Sequence, residues 1–281
     1  MTAHFEVLAC GPQVLVQDLG RDLAEWGVAR SGAADRRALA LGNRLVGNRA
    51  TAAGLESLMG GVALRLTSGG VVAVTGADCP VVVAGRAVDM NRSHRLEPGA
   101  VLEVGSATSG LRVYVSMRGG IAVEPVMGSR SRDVLAQVGP EPLVPGARVP
   151  LGDNYEREAW NEFVVPPRPL TALRVAPGPR ADWFSPAAAH ALTSTSWTVQ
   201  PASDRTGVRL GGNALGRRIG DLPSEPTVIG AIQVPPDGQP IVLGPDAGVS
   251  GGYPVLAVVL DADVDALAQV RPGEQVRFRW A

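Results

Sequence analysis

The stretch GAIQVPPDGQPIVLGPDAGVSGGYPVLAVVL, residues 230–260, decides how the chain reads. Residues 232–234 form a short apolar run ended by Pro235 and Pro236. Asp237-Gly238 predicts a hairpin turn, with residues 240–243 as the returning strand. Gly251-Gly252-Tyr253-Pro254 then bends the backbone before a second apolar run, 255–260. Glycines and polar groups at the ends of buried strands suit a site where a small ligand approaches backbone closely, so the stretch reads as one wall of a binding site. Turns in any β domain use the same residue types, which is the competing explanation.

The same signature extends outward. Short alternating or β-branched runs occur at 62–66, 71–75, 81–83, 96–104 and 111–117, and again at 197–199 and 207–210. Residues 173–179 echo 5–12, and 270–278 echo 96–104, in the same order. Two related β-rich domains are therefore expected, 1–165 and 170–281, joined by a charged, proline-containing linker at 155–169. Few helices are expected. One carries Ala34, Ala38, Leu41 and Leu45 at helical spacing and ends near Gly47-Asn48, with Asp35 in its first turn. A second starts on the Ser185 N-cap and the Pro186 that follows it, and runs to about Leu192. A third is capped by Asp261 or Asp263 and runs through Ala268. Many short punctuated strands favour barrels or sandwiches.

Composition narrows the function. Of 281 residues, 45% are hydrophobic and 19% charged, enough for a sizeable core. The formal net charge of -1 argues against a general nucleic-acid binder. The chain contains no lysine, which excludes a Schiff-base lysine, a P-loop GK[ST], and a biotinyl- or lipoyl-lysine on this chain. Cys10 and Cys79 lie far apart and read as small hydrophobes in a reducing cytoplasm. His4, His94 and His190 have no metal-ligand spacing, so no metal site is expected. The first residues lack a signal-peptide pattern, and no apolar run approaches ~20 residues, so a cytoplasmic protein with no membrane span is expected.

Three local motifs carry possible chemistry. Asp35 is either a helix-start carboxylate favoured by the dipole or a functional acid beside Arg21. GSRSR, residues 128–132, is either a solvated loop or an anion site of hydroxyls, backbone N–H groups and guanidinium. GVSGG, 248–252, matches a nucleophile elbow, but no helix pattern follows and no histidine lies beyond His190, so it is set aside.

Ten segments, taken together, resemble one family over nearly the whole chain. They are QDLGR (17–21), SGAAD (31–35), NRLVGN (43–48), LE (55–56), RGG (118–120), GSRS (128–131), SDRTG (203–207), SEP (224–226), GAIQVPPDGQP (230–240) and GGYP (251–254). The set is similar to the allophanate hydrolase subunit 2 family. That family includes the C-type subunit of the ATP-dependent 5-oxoprolinase, Kip-type regulators of a sensor kinase, and part of the urea carboxylase carboxyltransferase domain. The resemblance implies a cyclophilin-like fold of two β-barrel-type domains and a subunit 1 or 5-oxoprolinase B-type partner. In the oxoprolinase an A-type subunit completes an enzyme that uses ATP to open 5-oxoproline to glutamate. In the carboxylase relatives, carboxybiotin comes from a partner and urea is carboxylated. Three departures from the family pattern stand out: Arg132 where threonine is usual, Thr206 where methionine is usual, and Val249 where threonine is usual. The usual glycine-rich segment is replaced by VGPEP, 138–142.

Laid over these positions, residue chemistry suggests roles. Arg21, Arg130 and Arg205 would hold anionic groups, and Asp35 would accept a proton or orient the substrate. Gln233, Tyr253 and the Gly251-Gly252 backbone would hydrogen-bond a small amide. Asn43 and Asp237 complete the expected substrate contacts. No cofactor is expected to be held covalently by this chain.

Overall fold

The computed structural model describes residues 3–153, 155–160, 162–164 and 172–281. Strands dominate, with three short helices: α1 (Arg36–Leu45), α2 (Pro186–Ser194) and α3 (Asp261–Leu267). The chain divides into two units. The first contains Met1–Arg21, Ser31–Asp133 and Gln137–Pro167; the second contains Asp22–Arg30, Val134–Ala136 and Arg168–Ala281. Two short segments from the first half of the sequence thus group with the second unit.

In the first unit, one sheet of six strands runs in the order Arg148–Pro150, His4–Ala9, Gly60–Leu66, Val101–Ser106, Val81–Val83, Arg86–Val88. A second sheet of five runs Gln13–Gln17, Gly54–Leu58, Ser109–Met117, Gly70–Asp78, Ser93–Leu96. Alternation makes the core: Val62, Leu64 and Leu66 point in while Arg65 points out. They join Phe5, Val14, Leu55, Val74, Leu102 and Val113 in one apolar cluster. Helix α1 lies on the Gly70–Asp78 and Ser109–Met117 strands, with Ala38 and Leu39 against Tyr114 and with Leu45 and Val46 against Ala73.

The expected linker is corrected where it is described. The Glu156 and Arg157 N–H groups donate to the Gly47 carbonyl, and the Trp160 N–H donates to Leu45 O at 2.7 Å. These bonds satisfy carbonyls just beyond and at the C-terminal end of α1 that the helix itself leaves open. This strap is part of the first unit. Residues 161 and 165–169 of the expected linker lie outside the described residues.

The second unit is a closed seven-stranded barrel. Its order is Leu173–Pro177, Val255–Val259, Ala231–Gln233, Ile241–Leu243, Gly207–Gly211, Ser196–Val199, Gln275–Trp280, and parallel pairing of the last with the first closes it. Closure leaves no edge among these strands. The opening stretch of sequence supplies three of the seven strands, and the Asp237-Gly238 turn joins two of them through a Gly238 N–H to Pro235 O bond of 3.0 Å. Helix α2 is capped as the sequence predicts, Ser185 Oγ accepting from the Ala188 N–H. Helix α3 is not: Leu260 holds its N-cap position, and the Asp263 carboxylate binds Arg174 instead, through N–H, Nε and Nη2.

Candidate functional site

In the first unit, four motif segments far apart in sequence converge. Asp18 is the hub. Its Oδ1 accepts from the Gly20 N–H (2.8 Å), Ser129 Oγ (2.6 Å) and Ser131 Oγ (2.5 Å), and its Oδ2 accepts from the Arg130 N–H (2.7 Å). One carboxylate therefore fixes the shape of the GSRS loop, and the Asp18 N–H donates back to Ser131 Oγ. The SGAAD segment docks on the same loop, Ala33 N–H donating to Asp18 O at 2.8 Å. Gly32 has φ +85°, and a methyl at its Cβ position would sit 2.7 Å from the Leu19 carbonyl carbon and the Gly20 nitrogen. Only glycine allows that approach.

Arg21 lies inside this arrangement and is 3% exposed. Its Nη2 donates to Ser131 O at 2.6 Å. Among the described residues, Nε and Nη1 have no partner, and Arg21 appears in no ion pair. A guanidinium carries five N–H donors and a full charge. Buried without a carboxylate, it costs several kcal/mol of desolvation that one carbonyl does not offset. The arrangement leaves a buried cation with donor capacity to spare.

Below it, Glu56 of the LE pair anchors the start of α1. Its Oε2 accepts from the Ala34 N–H (2.9 Å) and from Tyr114 Oη (2.8 Å), and Arg112 approaches its Oε1 at 3.3 Å. Tyr114 Oη in turn accepts from the Asp35 N–H at 2.7 Å. Burial, and then the Glu56 and Asp35 charges, push the Tyr114 hydroxyl well above its ordinary range, so it acts as a hydrogen-bonding group and not as an acid near neutrality. Asp35 is the N-cap of α1, with Oδ1 accepting from the Ala38 N–H at 2.9 Å. The helical spacing predicts it in the first turn.

One expected ligand residue is corrected here. Asn43 is fully buried on α1; its amide donates to Ala50 O and Ala52 O, and its Oδ1 accepts from Asn48. It fastens the chain leaving the helix and presents nothing to a ligand. Arg130 contributes its backbone to the Asp18 hub while its Nε donates to Val123 O at 2.7 Å. Arg132, the departure from the family pattern, is 5% exposed and donates through Nη1 to Gln137 O, Gly139 O and Glu141 Oε1. The two departures at 132 and 138–142 are thus one feature: the guanidinium holds the altered segment by its own glutamate.

In the second unit, Arg205 is corrected as well. Its Nε and Nη2 form a two-pronged pair with Asp246 Oδ2 and Oδ1 at 2.8 and 2.9 Å, both side chains being inaccessible to solvent. Its charge is already balanced, so it does not serve a substrate anion. Gln233 Nε2 donates to Tyr253 O at 3.4 Å, and a methyl on Gly251 would lie 2.6 Å from that nitrogen. Gln233, Gly251 and Tyr253 therefore meet beside the ladder of Glu225–Pro226 with Ser250–Gly251. Gly252 and Tyr253 are exposed next to it. Asp237 is a turn residue: its Oδ1 accepts from the Gln239 N–H. Arg180 grips both oxygens of Glu225, which holds the glutamate's pKa below its usual range chiefly through those hydrogen bonds. The ten expected residues divide between the units, Arg21, Asp35, Asn43 and Arg130 in the first and the other six in the second. Sequence reading misses Asp18, Glu56, Tyr114 and Asp246; the first two stand inside quoted motifs, and the others carry no local signal.

Residues 26–280 match the model of the family described as carboxyltransferase domain, subdomain A and B. The chain belongs to that family. Among the relatives of this carboxyltransferase-domain chain is the C-type subunit of 5-oxoprolinase from Escherichia coli strain K12, 34% identical over 282 residues, covering 97% of this chain and 90% of the relative. The crystal structure of TTHA0988 is similar with TM-score 0.87 and 34% identity, over 99% of this chain and 55% of that one. The Kluyveromyces lactis urea amidolyase structure is similar with TM-score 0.92 and 28% identity, over 99% of this chain and 18% of that one. The chain thus spans about half of the TTHA0988 chain and under a fifth of the amidolyase.

Proposed function

We propose that this carboxyltransferase-domain chain is the C-type subunit of an ATP-dependent 5-oxoprolinase, acting with B-type and A-type partner subunits. The observation that carries the reading is Arg21, a buried guanidinium with no carboxylate among the described residues. 5-Oxoproline brings its own carboxylate to this guanidinium, whereas urea is neutral and the carboxylase reading needs carboxybiotin to supply the anion. Similarity to the Escherichia coli subunit, over most of both chains, supports the same assignment. In the reaction the lactam C–N bond breaks. One water supplies hydroxide to the acyl carbon and a proton to the nitrogen, giving glutamate, and a second water is used in the hydrolysis of ATP. This chain's part is to bind and orient the carboxylate, with Asp35 near the start of α1 as the candidate proton acceptor.

The second reading, carboxyl transfer to urea with carboxybiotin from a partner, is favoured by the amidolyase similarity. One experiment separates the two. The full chain is combined with its partner subunits, and glutamate release from 5-oxoproline is measured with and without ATP. ATP-dependent release is expected. Carboxylation of urea without glutamate release would replace this reading, and tight partner binding without either activity would favour a regulator. In the same assay Asp35→Asn, which keeps an N-cap acceptor, is expected to retain stability and lose turnover.

A further inference from the structure

Gln17 belongs to the same motif as Arg21 and has the same peculiarity. It is fully buried at the end of the Gln13–Gln17 strand. Its Nε2 donates to Arg132 O at 2.9 Å, which fixes which end of the amide is which. The other end, Oε1, has no donor among the described residues. A buried carbonyl oxygen without a donor is costly and rare. The Arg21 head is held by Ser131 O and the Gln17 head by Arg132 O, carbonyls of consecutive residues. An unfilled acceptor and two unfilled cationic donors are therefore anchored on adjacent peptide units.

That pairing has a chemical complement. A molecule that fills both must carry an anion and an N–H donor a short distance apart. In 5-oxoproline the carboxylate and the lactam N–H are attached to the same ring carbon. We infer that Gln17 is a specificity residue for the lactam nitrogen: Oε1 accepts the substrate N–H while Arg21 holds the carboxylate. This rests on the 5-oxoprolinase reading and adds to it a residue that distinguishes a lactam from its oxygen analogue. A site built to receive a hydrogen bond rejects an analogue that lacks it, because the buried acceptor is then left unpaired.

The test uses the full chain in complex with its partner subunits and measures binding of two compounds by calorimetry. One is 5-oxoproline. The other is 5-oxotetrahydrofuran-2-carboxylate, the same ring with oxygen in place of N–H. The wild-type complex is expected to bind the lactam about tenfold more tightly than the lactone. Gln17→Met is expected to abolish that preference by weakening the lactam alone, whereas Arg21→Met weakens both. Equal wild-type affinity for the two compounds overturns the role of Gln17 and leaves the 5-oxoprolinase reading standing. Equal losses for both compounds in Gln17→Met do the same, since a purely structural glutamine would act that way. Binding of neither compound by the wild-type complex overturns the reading and this inference together.

Discussion

Arg21 and Arg205 are buried to nearly the same degree, one in each unit, and their charges are handled in opposite ways. Arg205 meets both oxygens of Asp246, which also accepts from the Val134 N–H at 3.0 Å. Arg21 meets one carbonyl and keeps two nitrogens, Nε and Nη1, unfilled. In sequence both look alike, an arginine beside a carboxylate and a glycine in a motif. Asp18, three residues from Arg21, is instead taken up by Ser129, Ser131 and two backbone N–H groups. The first carboxylate shapes a loop and leaves its arginine available; the second cancels its arginine and makes it structural.

The largest effect separating the two is on stability. Asp246→Ala leaves a buried guanidinium unbalanced and should destabilise the protein by about 3–5 kcal/mol. Replacing the pair together, Arg205→Met with Asp246→Leu, should recover most of that in urea unfolding. A loss below ~1 kcal/mol for Asp246→Ala would erase the contrast. For Arg21 the expectation is inverted. Arg21→Met should leave unfolding within about 1 kcal/mol of wild type, because it removes an unbalanced charge. It should nevertheless lower 5-oxoproline turnover by about a hundredfold, the scale of lost charge-assisted hydrogen bonds. An Arg21→Met protein that unfolds readily would show that this arginine is structural too.

The smallest effect concerns Asp263, where a carboxylate is paired but its arginine stays partly exposed. Hydrogen bonds from Arg174 hold the Asp263 pKa below its usual value. A lowered folded pKa means a contribution to stability fully present above the unfolded value of ~3.9, and lost as pH falls through the folded value. Asp263→Asn should therefore cost a small amount of stability near neutrality, change little in strong acid, and so flatten the acid limb of the stability profile below about pH 4. A steeper acid limb in Asp263→Asn would reverse the assignment.

Local chemistry makes much of the fold legible. The 232–243 hairpin, the α2 cap at Ser185 and the strand alternation at 62–66 each follow from spacing and turn residues a few positions apart. The site is legible only in part. QDLGR and GSRS each stand out, but their union through Asp18 spans more than 110 residues, and no local pattern encodes it. Arg205 misleads because its partner lies 41 residues on, in a segment that reads as turn. Asn43 misleads because its buried amide is spent on Ala50 O, Ala52 O and Asn48, partners that tertiary structure chooses. Polar partners chosen by tertiary structure leave no period in a sequence.

The grouping of 22–30 and 134–136 with the barrel has a practical consequence for dissection. Cutting the gene near codon 170 would yield a polypeptide that begins at the barrel's first strand yet lacks two pieces of its own unit. The Asp246 carboxylate of that fragment would also lose the Val134 amide it normally receives. Modular reuse, by fusion or circular permutation, should therefore keep the chain whole and open it elsewhere.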